Sequence, residues 1–216
     1  MRRWILAAIG AAAAIVVMTP MAASAATTPH VLTITKVGGT NVAVGAKLSA
    51  AIKSGTKAVF SEGTEGSVSC AKSYVLETVT ANPAKPGTAK LSITGQGFSS
   101  CTASISGVTV TVKSVKDYMA PYKTTVSDAT GLNVVVTKPG AVIVVSAVGE
   151  TITCTYQAAA IKGATSNTGS SVSFKDQAFN VVSGSNSLCP ATGDLTVAYA
   201  PVVDTSVTGD PHVFVN

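Results

Sequence analysis

Arginine is almost missing from this chain. Of 216 residues only Arg2 and Arg3 are arginines, so the rest lacks the planar fork that grips phosphate, carboxylate or guanine with paired hydrogen bonds. Taking those two from the 15 basic residues leaves 13 lysines against 10 acids, a net of +3, scattered without a cluster. Nucleic acid is thereby excluded as a partner, and loose attraction to an anionic cell wall is the most this charge supports. Tryptophan occurs once, as Trp4, and histidine twice, as His30 and His212. There is no G-x-S-x-G elbow, no H-E-x-x-H, no phosphate loop and no dinucleotide fingerprint, which removes the common hydrolase, metalloprotease and nucleotide-binding classes. No C-x-x-C occurs either, so neither a redox dithiol nor a zinc site with close cysteine spacing is expected. No cofactor and no metal is implied.

What the chain does have begins at its N-terminus. Arg2 and Arg3 form a positive n-region, Trp4 to Val17 an apolar run, and Pro20 precedes the small-residue site Ala23-Ser24-Ala25. This is the pattern of a secretory signal peptide over residues 1–25. The apolar run falls short of the roughly 20 residues a bilayer span requires. The arginine pair followed by Trp4-Ile5-Leu6 partly matches a twin-arginine signal but lacks a polar residue ahead of it, which favours the general route. Removing 25 of 216 residues leaves 191. That is enough for one large or two small β domains, secreted and without a second span.

Cys70, Cys101, Cys154 and Cys189 all follow the signal. An even count in an oxidising compartment implies disulfides, and four cysteines allow three connectivities. An internal echo selects among them. Ser67-Val68-Ser69-Cys70 matches Thr151-Ile152-Thr153-Cys154, Val108-Thr109-Val110 matches Leu195-Thr196-Val197, and Ala58-Val59-Phe60 matches Ala141-Val142-Ile143. "YMAPYKTTV" from Tyr118 likewise resembles "YAPVVDTSV" from Tyr199. Matches in one order around similar cysteine spacings point to duplication, with halves at 27–118 and 119–216. Each half then holds one bridge, Cys70–Cys101 and Cys154–Cys189.

Period-two alternation dominates the chain: "VLTITK" from Val31, "SVSC" from Ser67, "VTVTVK" from Val108, "TITCTY" from Thr151, "SVSF" from Ser171 and "LTVAY" from Leu195. Val, Ile and Thr in such alternation make half-buried strands. Glycine-containing breaks are expected at "VGGT" (37–40), "EGTEG" (62–66), "TGQG" (94–97), "TKPG" (137–140) and "SGSN" (183–186). "AKLSAAIKS" (46–54) is the one helix-like stretch, and its apolar residues also fit an irregular strand. The fold class is all-β, an antiparallel β-sandwich of two related β-rich halves. The closing "PHVFVN" reads as an edge or closing strand, with donation to a partner sheet as the alternative.

Few residues offer chemistry. Asp210 and His212 share one face of a strand and could orient an imidazole, although a turn acid beside a surface histidine explains them as well. Glu62 and Glu65 sit in a glycine-rich turn that reads as a solvated loop, and "SDATG" (127–131) and "TGD" (208–210) offer too few oxygens for calcium. Tyr118 and Tyr199 hold equivalent places in the echo, as contacts or as core tyrosines with their hydroxyls at the edge.

The signal, the Ala/Thr/Val/Gly-rich chain and the ending "YAPVVDTSVTGDPHVFVN" resemble small secreted proteins of actinobacteria. The chain is also broadly similar in compartment and composition to the two-disulfide, apolar-cargo-binding β-sandwiches of streptomycetes, from which it differs in length and duplication. The expectation is a secreted, non-enzymatic binding or adaptor protein that engages another extracellular protein. Its size suits one subunit of a secreted multi-protein particle, such as the umbrella-shaped antibacterial toxins of streptomycetes. The arm at 26–30, with Pro29 and His30, and the tail at 210–216, with His212 and Phe214, are the natural docking segments. A second expectation is a protease inhibitor presenting "ANPAKPG" (81–87), with Lys85 entering a trypsin-like pocket. A small-ligand binder is a further alternative.

Overall fold

The computed structural model describes residues 28–63, 66–129 and 131–216; the signal peptide expected over residues 1–25 lies outside them. The described chain is all-β, with fifteen strands: β1 Leu32–Ile34, β2 Thr40–Asn41, β3 Lys47–Ile52, β4 Ala58–Ser61, β5 Gly66–Ala81, β6 Thr88–Ile105, β7 Val110–Asp117, β8 Tyr122–Ser127, β9 Asn133–Thr137, β10 Gly140–Ala147, β11 Glu150–Gln157, β12 Ala160–Ser166, β13 Ser171–Val181, β14 Thr192–Asp204 and β15 Val213–Val215. All pairings between them are antiparallel. The helix-like stretch after Ala46 is β3, with Leu48 and Ala50 turned into the core.

Four strands are much longer than the rest, and each changes neighbour along its length. β5 pairs with β4 through Ser67–Cys70 and with β3 through Tyr74–Thr78. β14 pairs with β4 through Asp194–Thr196 and with β3 beyond Tyr199. β6 runs against β8 as far as Ile93 and meets β7 at Gly97. β13 runs against β12 up to Phe174 and meets β11 at Asn180 and Val181.

These forks close the large sheet on itself twice. One ring runs β3-β5-β6-β8-β9-β12-β13-β14 and back to β3. The other runs β4-β5-β6-β7-β10-β11-β13-β14 and back to β4. The result is sandwich-like, two stacked layers of interior sharing four strands. Closure removes the unpaired edges that would otherwise recruit foreign strands. Strands from either side of residue 118 pair throughout, for example β6 with β8 and β14 with β3.

Side chains replace the ladder where strands part. At the β6 fork the Gln96 amide donates to Asp117 Oδ2 at 3.0 Å. At the β13 fork the Lys162 amide donates to Gln177 Oε1 at 2.6 Å. "TGQG" is therefore not a break between strands: it lies inside β6, where the register shifts by one residue opposite Leu76/Glu77. Gly95 and Gly97 lie beneath Leu76 and Tyr74 on the outer surface. Glycine marks a bulge and a close approach there.

A small second sheet, β15-β1-β2, covers the open end of the first ring. Buried Asn82 ties it down, accepting from Leu32 N and donating to Leu32 O and Val42 O, each at 2.9 Å. Asn167 brackets Val215 from the other side, and Ser170 Oγ donates to the Val213 carbonyl. This capped ring contrasts with the second, braced ring. Both disulfides fall on the braced ring: Cys70–Cys101 across the β5–β6 ladder, with Cα atoms 3.9 Å apart, and Cys154–Cys189 from β11 to the β13–β14 connection, 5.5 Å apart. The pairing is the expected one, with one bridge in each half of the sequence.

Candidate functional site: an internal cavity with a buried carboxyl

The interiors of the two rings are filled differently. In the braced ring Phe60 stacks at 4.7 Å from Tyr156 and 6.0 Å from Phe179, and Gly193 lets the Phe60 ring lie against the backbone. The capped ring is lined by aliphatic chains of modest size, such as Leu91, Ile93, Val126 and Val136, that do not meet at the centre. A cavity of about 130 Å³ remains, running from Phe60 and Phe179 to the cap residues Leu32, Val213 and Val215. Cavities of this size lined by apolar side chains stay dry and take up molecules as large as benzene.

One charged side chain lines it. Along β5 the inward positions are Ser73, Val75, Glu77 and Val79, so Glu77 sits between two valines on one face. Its cross-strand neighbours are Leu48 on β3 and Ile93 on β6, both buried. Glu77 is half-buried and lines the cavity. Burial raises its carboxyl from the usual 4.5 to about 7, and the Thr124 hydroxyl beside it offsets this only in part. Thr124 is 2 % exposed, lines the same cavity, and has no partner besides the Glu77 carboxyl. Among the described cavity-lining residues there is no lysine or histidine to neutralise the acid.

A second polar group holds the waist where the rings join. The Tyr199 hydroxyl lies 2.9 Å from Ser73 Oγ and accepts from Gln96 Nε2 at 3.1 Å. Tyr122 receives the Tyr118 amide at 3.0 Å and reaches the carbonyls of Tyr118, at 2.5 Å, and Gly140, at 3.0 Å. Burial, aided by the nearby Asp117 charge, raises both phenols above their usual value. Asp117 is itself raised by burial against the opposing Gln96 hydrogen bond, and its Oδ1 has no partner. This network holds the forks together.

The sequence candidates separate into two groups. Pro29, His30 and Lys85 meet at one end of the cap, where the Lys85 amide donates to the Pro29 carbonyl at 3.1 Å and His30 bridges to Ala84; Phe214 pairs with Thr33 in the cap sheet, and His212 lies towards its other end, its carbonyl accepting from the Thr35 amide. Lys85 and His212 are exposed, and Phe214 is half-buried. The loop carrying Lys85 is held by this N-terminal segment, and the Cys70–Cys101 bridge lies at the far end of the same hairpin. Tyr199 is buried and Tyr118 half-buried, both at the waist. The tail strand is consumed within its own fold, because β15 pairs with β1 and buries Val213 and Val215. Glu62 takes the Tyr156 hydroxyl at 3.4 Å, and Glu65 lies outside the described residues. Asp210 occupies a turn, its amide on the Val207 carbonyl.

Glu77 was not found by sequence reasoning. Its signal is a lone acid at an alternate position between Val75 and Val79 in "YVLETVTA", a stretch beyond the short strand expected around Cys70. Among the described residues no three His, Cys, Asp or Glu side chains converge to hold a metal, and no helix is long and apolar enough to cross a membrane. No protein-family model, curated protein or solved structure matches the chain.

Proposed function

We propose that this is an exported, non-enzymatic binding protein that encloses a compact apolar molecule inside the capped ring. The observation that carries the reading is the cavity of about 130 Å³ in the middle of a doubly closed sheet. A well-packed domain has few voids larger than a water molecule, because each one forfeits dispersion contacts. An unfilled apolar interior is thus a cost, one that a ligand of about the size of benzene or toluene would offset. Export by the signal over residues 1–25 accords with two disulfides, which persist in oxidising compartments. Descent of the two halves from a duplication belongs to the same proposal and rests on the sequence echoes.

Calorimetric titration of the oxidised protein with toluene tests the reading. Saturable binding is expected, and Ala50→Leu, which fills the cavity from β3, should remove it. Absence of binding, or binding indifferent to Ala50→Leu, would overturn the proposal.

The placement of Pro29, His30, Lys85, His212 and Phe214 along the cap sheet and the loop beside it favours one second reading, a protein-docking face at that end. The native mass of the protein in its producer's culture medium separates the two. A companion lost on the double change Lys85→Ala and Phe214→Ala supports docking, and a bare monomer counts against it.

A further inference from the structure

The placement of Glu77 says more about what enters the cavity than its volume does. A carboxyl turned inward on β5, between Leu48 and Ile93, has been taken from water without a compensating cation. Desolvating an acid in this way is unfavourable unless it is paired or hydrogen-bonded, and an apolar residue would pack this position better. Thr124 adds a second polar group. Its hydroxyl, 2 % exposed, faces the same cavity from β8 beside the Glu77 carboxyl and has no other partner. An acid and a neighbouring hydroxyl thus converge in the wall of a mainly apolar space. Tyr122 and Tyr199, the other titratable groups in the lining, already have partners at the waist. Asp117 is engaged there by the Gln96 amide.

We infer that the cavity is specific for a compact apolar molecule bearing one amine, whose ammonium group pairs with the Glu77 carboxylate and donates a further hydrogen bond to Thr124 Oγ1. An ammonium has three donors and no acceptor, which matches an acid and a hydroxyl lone pair side by side. A carboxylic acid or phosphate would bring like charge against Glu77, and a plain hydrocarbon would leave the acid without a cation. The acidity of Glu77, displaced by burial to about 7, leaves it mostly ionised at pH 8, where a simple alkylamine is still protonated.

This inference rests on the reading of the cavity as a ligand site, and a matched pair of probes separates the two. Toluene and benzylamine share a ring and differ by one amino group. Both are titrated at pH 8 into the oxidised protein and into its Glu77→Gln and Thr124→Val variants. The expected result is benzylamine binding about tenfold or more tighter than toluene, the gain of a charge-assisted hydrogen bond in a dry site. Glu77→Gln should erase that preference while toluene binding persists, which also shows that the variant is folded. Thr124→Val should reduce the preference by a smaller factor. Toluene binding without preference for benzylamine, or a preference that survives Glu77→Gln, overturns the amine assignment and leaves the cavity reading standing. Failure of both probes overturns the cavity reading and this inference with it.

Discussion

The two rings share four strands, yet they are kept closed by different means. The braced ring has its interior filled by Phe60, Tyr156 and Phe179 and is clamped by both covalent bridges. The capped ring has no bridge and an acid in its wall, the cavity runs through it to the Phe60 and Phe179 rings, and its end is sealed by β1, β2 and β15 through hydrogen bonds. Covalent and aromatic reinforcement is thus concentrated on one ring while the other is left able to accommodate something. Cavities and unpaired acids destabilise, and a fold tolerates them where the remaining structure is over-determined.

Removing a bridge gives the largest expected effect. The loops closed by Cys70–Cys101 and Cys154–Cys189 span 31 and 35 residues, so replacing either pair with alanine should cost ~3–4 kcal/mol on the chain-entropy model. Amide exchange should accelerate in β10 and β11 of the braced ring more than in β9 and β12 of the capped ring. Equal acceleration would show that the rings open as one unit, and the contrast would fail. The reverse probe is Asn82→Ala, which strips three hydrogen bonds from the cap at once. Leaving buried backbone groups unpaired should cost about 3 kcal/mol. Here exchange should rise first in β1, β2 and β15, and denaturant melts read on Tyr156 should move less.

Glu77 gives the next effect, and its sign is fixed. The folded-state acid titrates near 7 against 4.5 when unfolded, so between these values the folded protein binds more protons. Stability is then highest at or below the unfolded value, falls as pH rises from about 4.5 to 7, and flattens above. Asp117, raised in the same direction, adds to the slope, whereas Tyr122 and Tyr199 titrate above this window. The full shift corresponds to about 3 kcal/mol, and water admitted to the cavity would reduce the realised loss to about 2. Urea melts at pH 4.5 and 8 should show this loss in the native protein and much less of it in Glu77→Gln. An unchanged slope in the variant would place the titration elsewhere.

How much of this was legible in the sequence follows from what local pattern encodes. Alternation of Val, Ile and Thr with small polar residues gave the strands and the all-β class, and the echo around Cys70 and Cys154 gave both bridges. The forks were not legible. A strand that changes neighbours halfway keeps the same alternation throughout, so "TGQG" looked like a turn when it is a bulge inside β6. Both bridges standing on one ring was hidden for the same reason, since ring membership is set by long-range pairing of β5, β6, β13 and β14. Glu77 carried a readable signal, an acid in phase with Val75 and Val79, but its meaning depends on the void opposite it. No local pattern encodes a void.

Two glycines probe the same contrast at the scale of single atoms. A Cβ at Gly193 would come within 2.2 Å of Phe60, whose ring is held by Tyr156 and Phe179 and has nowhere to move. A Cβ at Gly97 would meet Tyr74 at 2.3 Å, but that ring lies on the outer surface, 49 % exposed, and swings aside by rotation about its side-chain torsions. Neither position has a positive φ, so Gly→Ala tests packing alone. Gly193→Ala should cost about 1–3 kcal/mol, the usual penalty of overpacking a filled core, and Gly97→Ala under about 1 kcal/mol. Urea melts of the two variants decide the matter. Equal small losses would mean that the braced interior gives way as easily as the surface, and the aromatic packing that distinguishes it from the capped ring would then carry little of the stability.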